Sequence, residues 1–163
     1  MDVFEFAMQM ETDGKAMYEE HAAKVEIPEL KQILLELAAD EQKHYNLFKA
    51  MSEGKTVDYD EGSKTNIVAS VKNVFQQLKE QDKDFTFGSD AREVWDKARD
   101  IEKKSEAFYR SKMEEVETDA QKNVLKRIAD EELRHWQMIE HVIQFLDRPK
   151  SWLEDAEWNK SEE

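Results

Sequence analysis

Phe4, Ala7, Glu11, Gly14, Tyr18, His21 and Val25 follow one another at alternating steps of three and four residues, the spacing that lines one side of a helix against its neighbours in a bundle. The spacing predicts a helix over residues 2–25, helix A. Pro28 suits the first turn of a second helix, helix B over 28–51, whose stripe is Leu30, Leu34, Leu37, Glu41, His44, Phe48 and Met51. From Ser52 to Gly62 the chain reads as loop, with a run of acids around Tyr59. Ile67, Val71, Val74, Phe75 and Leu78 then form a modest apolar stripe, which predicts a crossover helix over 64–83. Asp90 and Glu93 have the spacing of a capping box and open helix C, 90–116, on Trp95, Ala98, Glu102, Ser105, Tyr109, Lys112 and Val116. Thr118 and Gln121 make a better capping box for helix D, 119–147, on Leu125, Ile128, Glu132, His135, Ile139, Val142 and Leu146, and Pro149 stops it. The tail, 150–163, carries Trp152 and Trp158, which are expected to fold back on the bundle or to cover a partner subunit.

The pattern repeats. Asp40-Glu41-x-x-His44-Tyr45 returns 91 residues later as Glu131-Glu132-x-x-His135-Trp136, and aligning residues 1–51 with 92–142 gives 12 identities. Glu11 pairs with Glu102, Tyr18 with Tyr109, Glu41 with Glu132 and His44 with His135 in that alignment. The chain therefore reads as a duplicated helix pair, A–B and C–D, folded into a pseudo-twofold four-helix bundle.

Composition agrees with an all-α chain: 38% of residues are charged, 39% hydrophobic, and only four are Gly and two Pro. At 163 residues the chain fits one domain. A net charge of −14 repels nucleic acid and anionic membranes, and no Lys/Arg run offers an exception, so neither is an expected partner. The absence of cysteine excludes disulfides, thiolate zinc sites, iron–sulfur clusters and a rubredoxin-type module within these residues. The acidic, amphipathic start Met1-Asp2-Val3-Phe4-Glu5 is unlike a signal peptide and no apolar run is long enough to span a membrane, which makes the cytoplasm the expected location.

Four glutamates, Glu11, Glu41, Glu102 and Glu132, and two histidines, His44 and His135, fall on core-facing stripes near mid-helix. An unpaired buried carboxylate costs several kcal/mol, and four together also repel one another. Lys and Arg are missing from the stripes at that level, so two divalent metal ions are the simplest compensation. A Glu from each of two helices with Glu-x-x-His from each of the other two is the ligand pattern of dinuclear carboxylate sites.

On these residues, with a Tyr seven after each lone Glu and a crossover between helices B and C, the chain resembles the ferritin-like di-iron carboxylate superfamily, closest to rubrerythrins in a short form without a rubredoxin domain. The ending, Phe145-Leu146-x-x-Pro149-x-x-Trp152-Leu153-x-x-Ala156-Glu157, is also similar to the tail of short stand-alone relatives. The resemblance implies that Glu41 and Glu132 bridge two iron ions, that Glu11 and Glu102 are terminal ligands, and that each His caps one iron. Manganese or zinc would also accept these donors. Asp40 and Glu131, beside the stripes, are placed to accept a hydrogen bond from the free nitrogen of the other half's His. Tyr18 and Tyr109 can donate to ligand carboxylates, serve in proton or electron transfer, or simply pack in the core.

One departure stands out. Rubrerythrins carry an additional Glu three residues after the helix C ligand, where this chain has Ser105, with Gly14 at the equivalent place in helix A. Two small residues there either leave room for water, dioxygen or peroxide or allow close helix packing. The resemblance implies an oxidoreductase reducing hydrogen peroxide or dioxygen with electrons from a separate donor such as a rubredoxin-like protein, in a homodimer. A ferroxidase or iron-storage protein is the alternative. A helical interaction module without metal is the third reading, and it leaves the buried acids uncompensated.

Overall fold

The computed structural model describes residues 2–57, 59, 64–155 and 158, and among them all regular structure is helical. Helix α1 spans Val3–Lys24 and starts at Asp2, whose carboxylate accepts from the Glu5 N–H at 2.8 Å. Helix α2, Pro28–Ser52, opens on its proline, which gives up an N–H that has no helical partner anyway. Helix α3, Ile67–Gln81, is shorter than the predicted crossover helix and ends at Asp82 in the left-handed conformation (φ 49°).

Helix α4 covers Ser89–Lys112. The expected Asp90–Glu93 box does not form: Gly88 is the cap, without a side-chain hydrogen bond, and Asp90 already lies in the first turn. Its end also differs from the sequence expectation, because Met113–Glu115 tightens into a 3₁₀ turn and Val116 is extended. The Thr118–Gln121 box does form at the start of α5, Asp119–Asp147. Pro149 stops that helix and at once opens another, α6, Pro149–Glu154, with Arg148 as the break between them.

Helix α1 packs along α2 and α4 along α5, while α3 crosses against α2 and α5 and α6 folds back onto α3 and α5. The result is an all-α, ferritin-like bundle of two helix pairs with a crossover between them. Two apolar clusters fill it. One gathers Leu34, Val71, Phe75, Trp95, Ile139 and Phe145, the other Ala7, Phe48, Tyr109, Leu125 and Ile128. The six stripe acids and histidines lie between these clusters, where water is excluded from both ends.

The tail question resolves in cis for its described part. Trp152 and Trp158 are both 1% exposed and meet the Phe75 ring edge-on at 5.8 and 5.7 Å. His141 packs its ring on Trp152 at 5.4 Å. Residues 156–157 and 159–163, like 58 and 60–63 of the loop, fall outside the described residues. Trp152→Ala is expected to remove about 3–5 kcal/mol of stability, the usual cost of truncating a fully buried tryptophan, with the denaturant midpoint as the measurement. No helix among the described residues is long and apolar enough to cross a membrane.

Candidate metal centre

Helical spacing alone brings the polar residues of each half together. Glu41 and His44 share a face of α2, and Glu132 and His135 share a face of α5, one turn apart in each case. Helices α1 and α4 add Glu11 and Glu102 from opposite sides. All six side chains are at most 2% exposed. Their ligand atoms fall into two groups, Glu11–Glu41–His44–Glu132 and Glu41–Glu102–Glu132–His135, and within each group they lie within 4.8 Å of one another. Glu41 and Glu132 belong to both groups. The two imidazoles are stacked with centroids 6.2 Å apart, so the groups sit side by side.

Each histidine has one nitrogen turned inward and one outward. His44 Nδ1 lies 3.4 Å from Glu11 Oε1 and 3.1 Å from Glu132 Oε1, without alignment for a hydrogen bond to either, and its Nε2 is 3.0 Å from Glu131 Oε1. His135 Nδ1 is 3.2 Å from Glu102 Oε1 and its Nε2 is 2.8 Å from Asp40 Oδ2. Asp40 and Glu131 thus each meet the histidine of the other half, across the bundle. Such an acceptor holds the ring through Nε2 and leaves Nδ1 as the nitrogen that faces the centre.

Tyr18 donates to Glu102 Oε1, and Tyr109 donates to Glu11 Oε1 at 2.6 Å. These bonds also cross between the halves, each phenol serving the lone Glu that the other half contributes. Burial, with the neighbouring Glu102 and Glu41 charges for Tyr18 and Glu11 and Glu132 for Tyr109, pushes both phenols well above their ordinary range. They stay neutral donors.

Thr65, in the segment before α3, was invisible to sequence reasoning. Its hydroxyl donates to Asp40 Oδ2 and lies 3.3 Å from His135 Nε2, with the Ile67 N–H bonded back to it. A single threonine in a loop has no periodicity to signal it. His21, near the end of α1, is 8% exposed and lines a different cavity with Lys24, Leu30 and Phe87. Glu106 is turned to Arg110 at 3.0 Å and Lys103 at 3.3 Å, away from the centre.

The acids of the cluster work against one another. Burial and the charges of Glu11 and Glu132 push Glu41 well above the ordinary carboxylate range. Burial and the charges of Glu102 and Glu11 do the same to Glu132. Glu11 ends below its ordinary range: burial opposes its ionisation, but the facing His44 and the hydrogen bonds from Glu41 and Tyr109 outweigh it. Burial likewise works against charge on both histidines, yet Glu11 raises His44 and Glu102 and Asp40 raise His135, each well above the usual imidazole value. Asp40 falls, since its bond to His135 overcomes burial.

Even so, Glu11 Oε2, Glu41 Oε1, His44 Nδ1, Glu102 Oε2 and both Glu132 oxygens are buried without a hydrogen-bond partner. Orphaned acceptors converging on one dry point fit a pair of divalent ions, because such ions satisfy them and supply the missing positive charge.

Gly14 has a specific reason to be glycine. A Cβ there would stand 2.7 Å from Glu41 Oε2 and 3.3 Å from its Cδ. The space is therefore not an empty coordination face: the Glu41 carboxylate of α2 fills it, packed closely against the α1 backbone. Gly14→Ala is expected to split two readouts. The metal-free protein should keep or raise its melting temperature, since alanine favours the helix by about 1 kcal/mol, while metal occupancy falls because Glu41 is displaced. Melting curves beside elemental analysis check both.

No curated protein and no solved structure matches the chain. The family model described as rubrerythrin matches residues 2–143, which takes in all four helices of the duplicated pair and the whole cluster. The arrangement of two lone glutamates and two Glu-x-x-His pairs is thus that of a ferritin-like di-iron carboxylate protein, and the chain belongs to the rubrerythrin family.

Proposed function

We propose that this protein is a non-haem di-iron oxidoreductase that reduces hydrogen peroxide, or dioxygen, with electrons from a separate donor protein. The observation that carries the reading is the set of orphaned carboxylate and imidazole atoms, arranged as two four-residue groups sharing Glu41 and Glu132. Glu41 and Glu132, which belong to both groups, would contribute to holding both ions, with Glu11 and His44 completing one set and Glu102 and His135 the other. Two ferrous ions bound there supply the two electrons that break an O–O bond.

The chain's own residues do the rest. Glu131 and Asp40 orient the imidazoles through Nε2, keeping both rings from swinging out of the centre. The Tyr109 and Tyr18 hydroxyls hold protons against Glu11 and Glu102. They stand ready for the two protons that each peroxide takes up as it becomes two waters. The apolar clusters above and below exclude bulk water, which strengthens every charge interaction inside.

The test is turnover. Iron-loaded protein supplied with a chemical reductant or a rubredoxin-like donor should consume many equivalents of peroxide per centre. A growing ferric core, with iron consumed in place of reductant, would instead mark a ferroxidase or storage protein.

A further inference from the structure

We propose that the cleft between α1 and α2 is the route by which the small oxidant reaches the buried centre, and that the other half of the duplicated bundle lacks this route. The inference rests on the di-iron reading above. A cavity of about 130 Å³ is lined by Glu11, Thr12 and Lys15 of α1 and by Glu41, Gln42 and Tyr45 of α2. Glu11 and Glu41 are 1% and 2% exposed, with Glu11 Oε2 and Glu41 Oε1 unpartnered, so the floor of this cavity is the carboxylate cluster itself. Thr12 is exposed and Lys15, Gln42 and Tyr45 are half-buried, so its mouth is at the surface.

Size selects what can pass. At roughly 30 Å³ per water molecule in the liquid, the cavity holds about four waters, enough for peroxide or dioxygen and well below the roughly 300 Å³ or more that a drug-sized or cofactor-sized molecule needs. Charge selects as well. Lys15 Nζ is bound to Gln42 Oε1 at 2.9 Å, bridging α1 to α2 across the mouth, and no carboxylate lies within ion-pair distance of it among the described residues. The ammonium at the mouth tolerates neutral molecules and small anions.

The duplication supplies the comparison. Thr12, Lys15, Gln42 and Tyr45 correspond to Lys103, Glu106, Leu133 and Trp136 in the second half. There Lys103 lies over the Trp136 ring at 5.3 Å and pairs with Glu106 at 3.3 Å, so larger side chains knit α4 to α5. Gly14, where the second half has Ser105, adds to the asymmetry, since the Glu41 carboxylate rests against bare α1 backbone there.

Azide is a suitable probe: small, anionic and visible by the absorption band it acquires on ferric iron. In stopped-flow mixing with the oxidised iron-loaded protein, Thr12→Phe is expected to slow azide association and dissociation alike by about tenfold or more, leaving the equilibrium affinity nearly unchanged. Thr12 is exposed, so the larger ring need not enter the core. Gln42→Trp, which narrows the opposite wall, should act the same way and replaces Thr12→Phe if that variant loses iron. Lys103→Ala, in the other half, should leave both rates unaltered. Parent-like azide rates in both narrowed variants would overturn the route while leaving the metal centre in place. A parent protein that takes up no iron and develops no azide band would overturn the route and the di-iron reading together.

Discussion

Glu132→Ala is expected to weaken metal binding at both positions, dropping occupancy below about one ion per chain under conditions that give the parent about two, whereas Glu102→Ala should retain about one. Glu132 belongs to both four-residue groups, and Glu102 to only one. A volume-matched substitution at the same position should have the opposite sign in the metal-free protein. Both Glu132 oxygens are buried without a hydrogen-bond partner, and its ionisation is resisted by burial and by Glu102 and Glu11. Replacing it by leucine, which fills similar volume without a polar head, should therefore raise metal-free stability by about 1–3 kcal/mol. Elemental analysis and chemical denaturation of the two forms measure the pair of effects. A Glu132→Leu variant that kept two ions, or one less stable without metal, would disagree with the arrangement described.

The second large effect is in pH. In the metal-free protein Glu41 and Glu132 are raised well above the ordinary 4.5, and His44 and His135 well above the ordinary 6.5. Groups raised on folding contribute stability that is complete below their unfolded values and is lost as pH rises through their folded ones. Glu11 and Asp40, lowered from 4.5 and 3.8, contribute in the other direction, and their share disappears only as pH falls through their lowered values. The four raised groups therefore govern the neutral range. The metal-free melting temperature should decline from about pH 6 to about pH 8.

Metal binding has the reverse dependence, because ligands must be deprotonated before they coordinate. The gap in melting temperature between loaded and metal-free protein should widen over that interval, and loading should release protons. Calorimetric titration with metal in buffers of different ionisation enthalpy counts them. Loading without proton release would show that the cluster is already fully ionised.

Much of this arrangement was legible in the sequence because helices turn spacing into geometry. Glu41 and His44, three apart, must share a face, and the copy at Glu132 and His135 fixes the second half. Even the contacts of Asp40 with His135 and of Glu131 with His44 follow from their places beside the stripes in a pseudo-twofold bundle. What spacing does not encode is the third dimension between helices. Gly14 was recognisable as unusual, but only the packed bundle reveals that the Glu41 carboxylate occupies its missing side chain.

Thr65 reaches Asp40 from a segment without periodicity, and the mouth formed by Lys15 and Gln42 depends on how α1 and α2 are rotated against each other. Helix ends were the other weak point. Asp90 has the spacing of a cap yet lies inside the first turn after Gly88, since a glycine in extended conformation can begin a helix without a side-chain bond. Charge distribution was likewise hidden: Lys64, far in sequence from Arg127 and Arg134 of α5, lines one cleft with them in a chain whose net charge is −14.

On the proposed reading, the buried acids and histidines hold two metal ions. Protein loaded anaerobically with ferrous iron, desalted and analysed for metal should contain about two ions per chain. A folded protein that retained essentially none would contradict it.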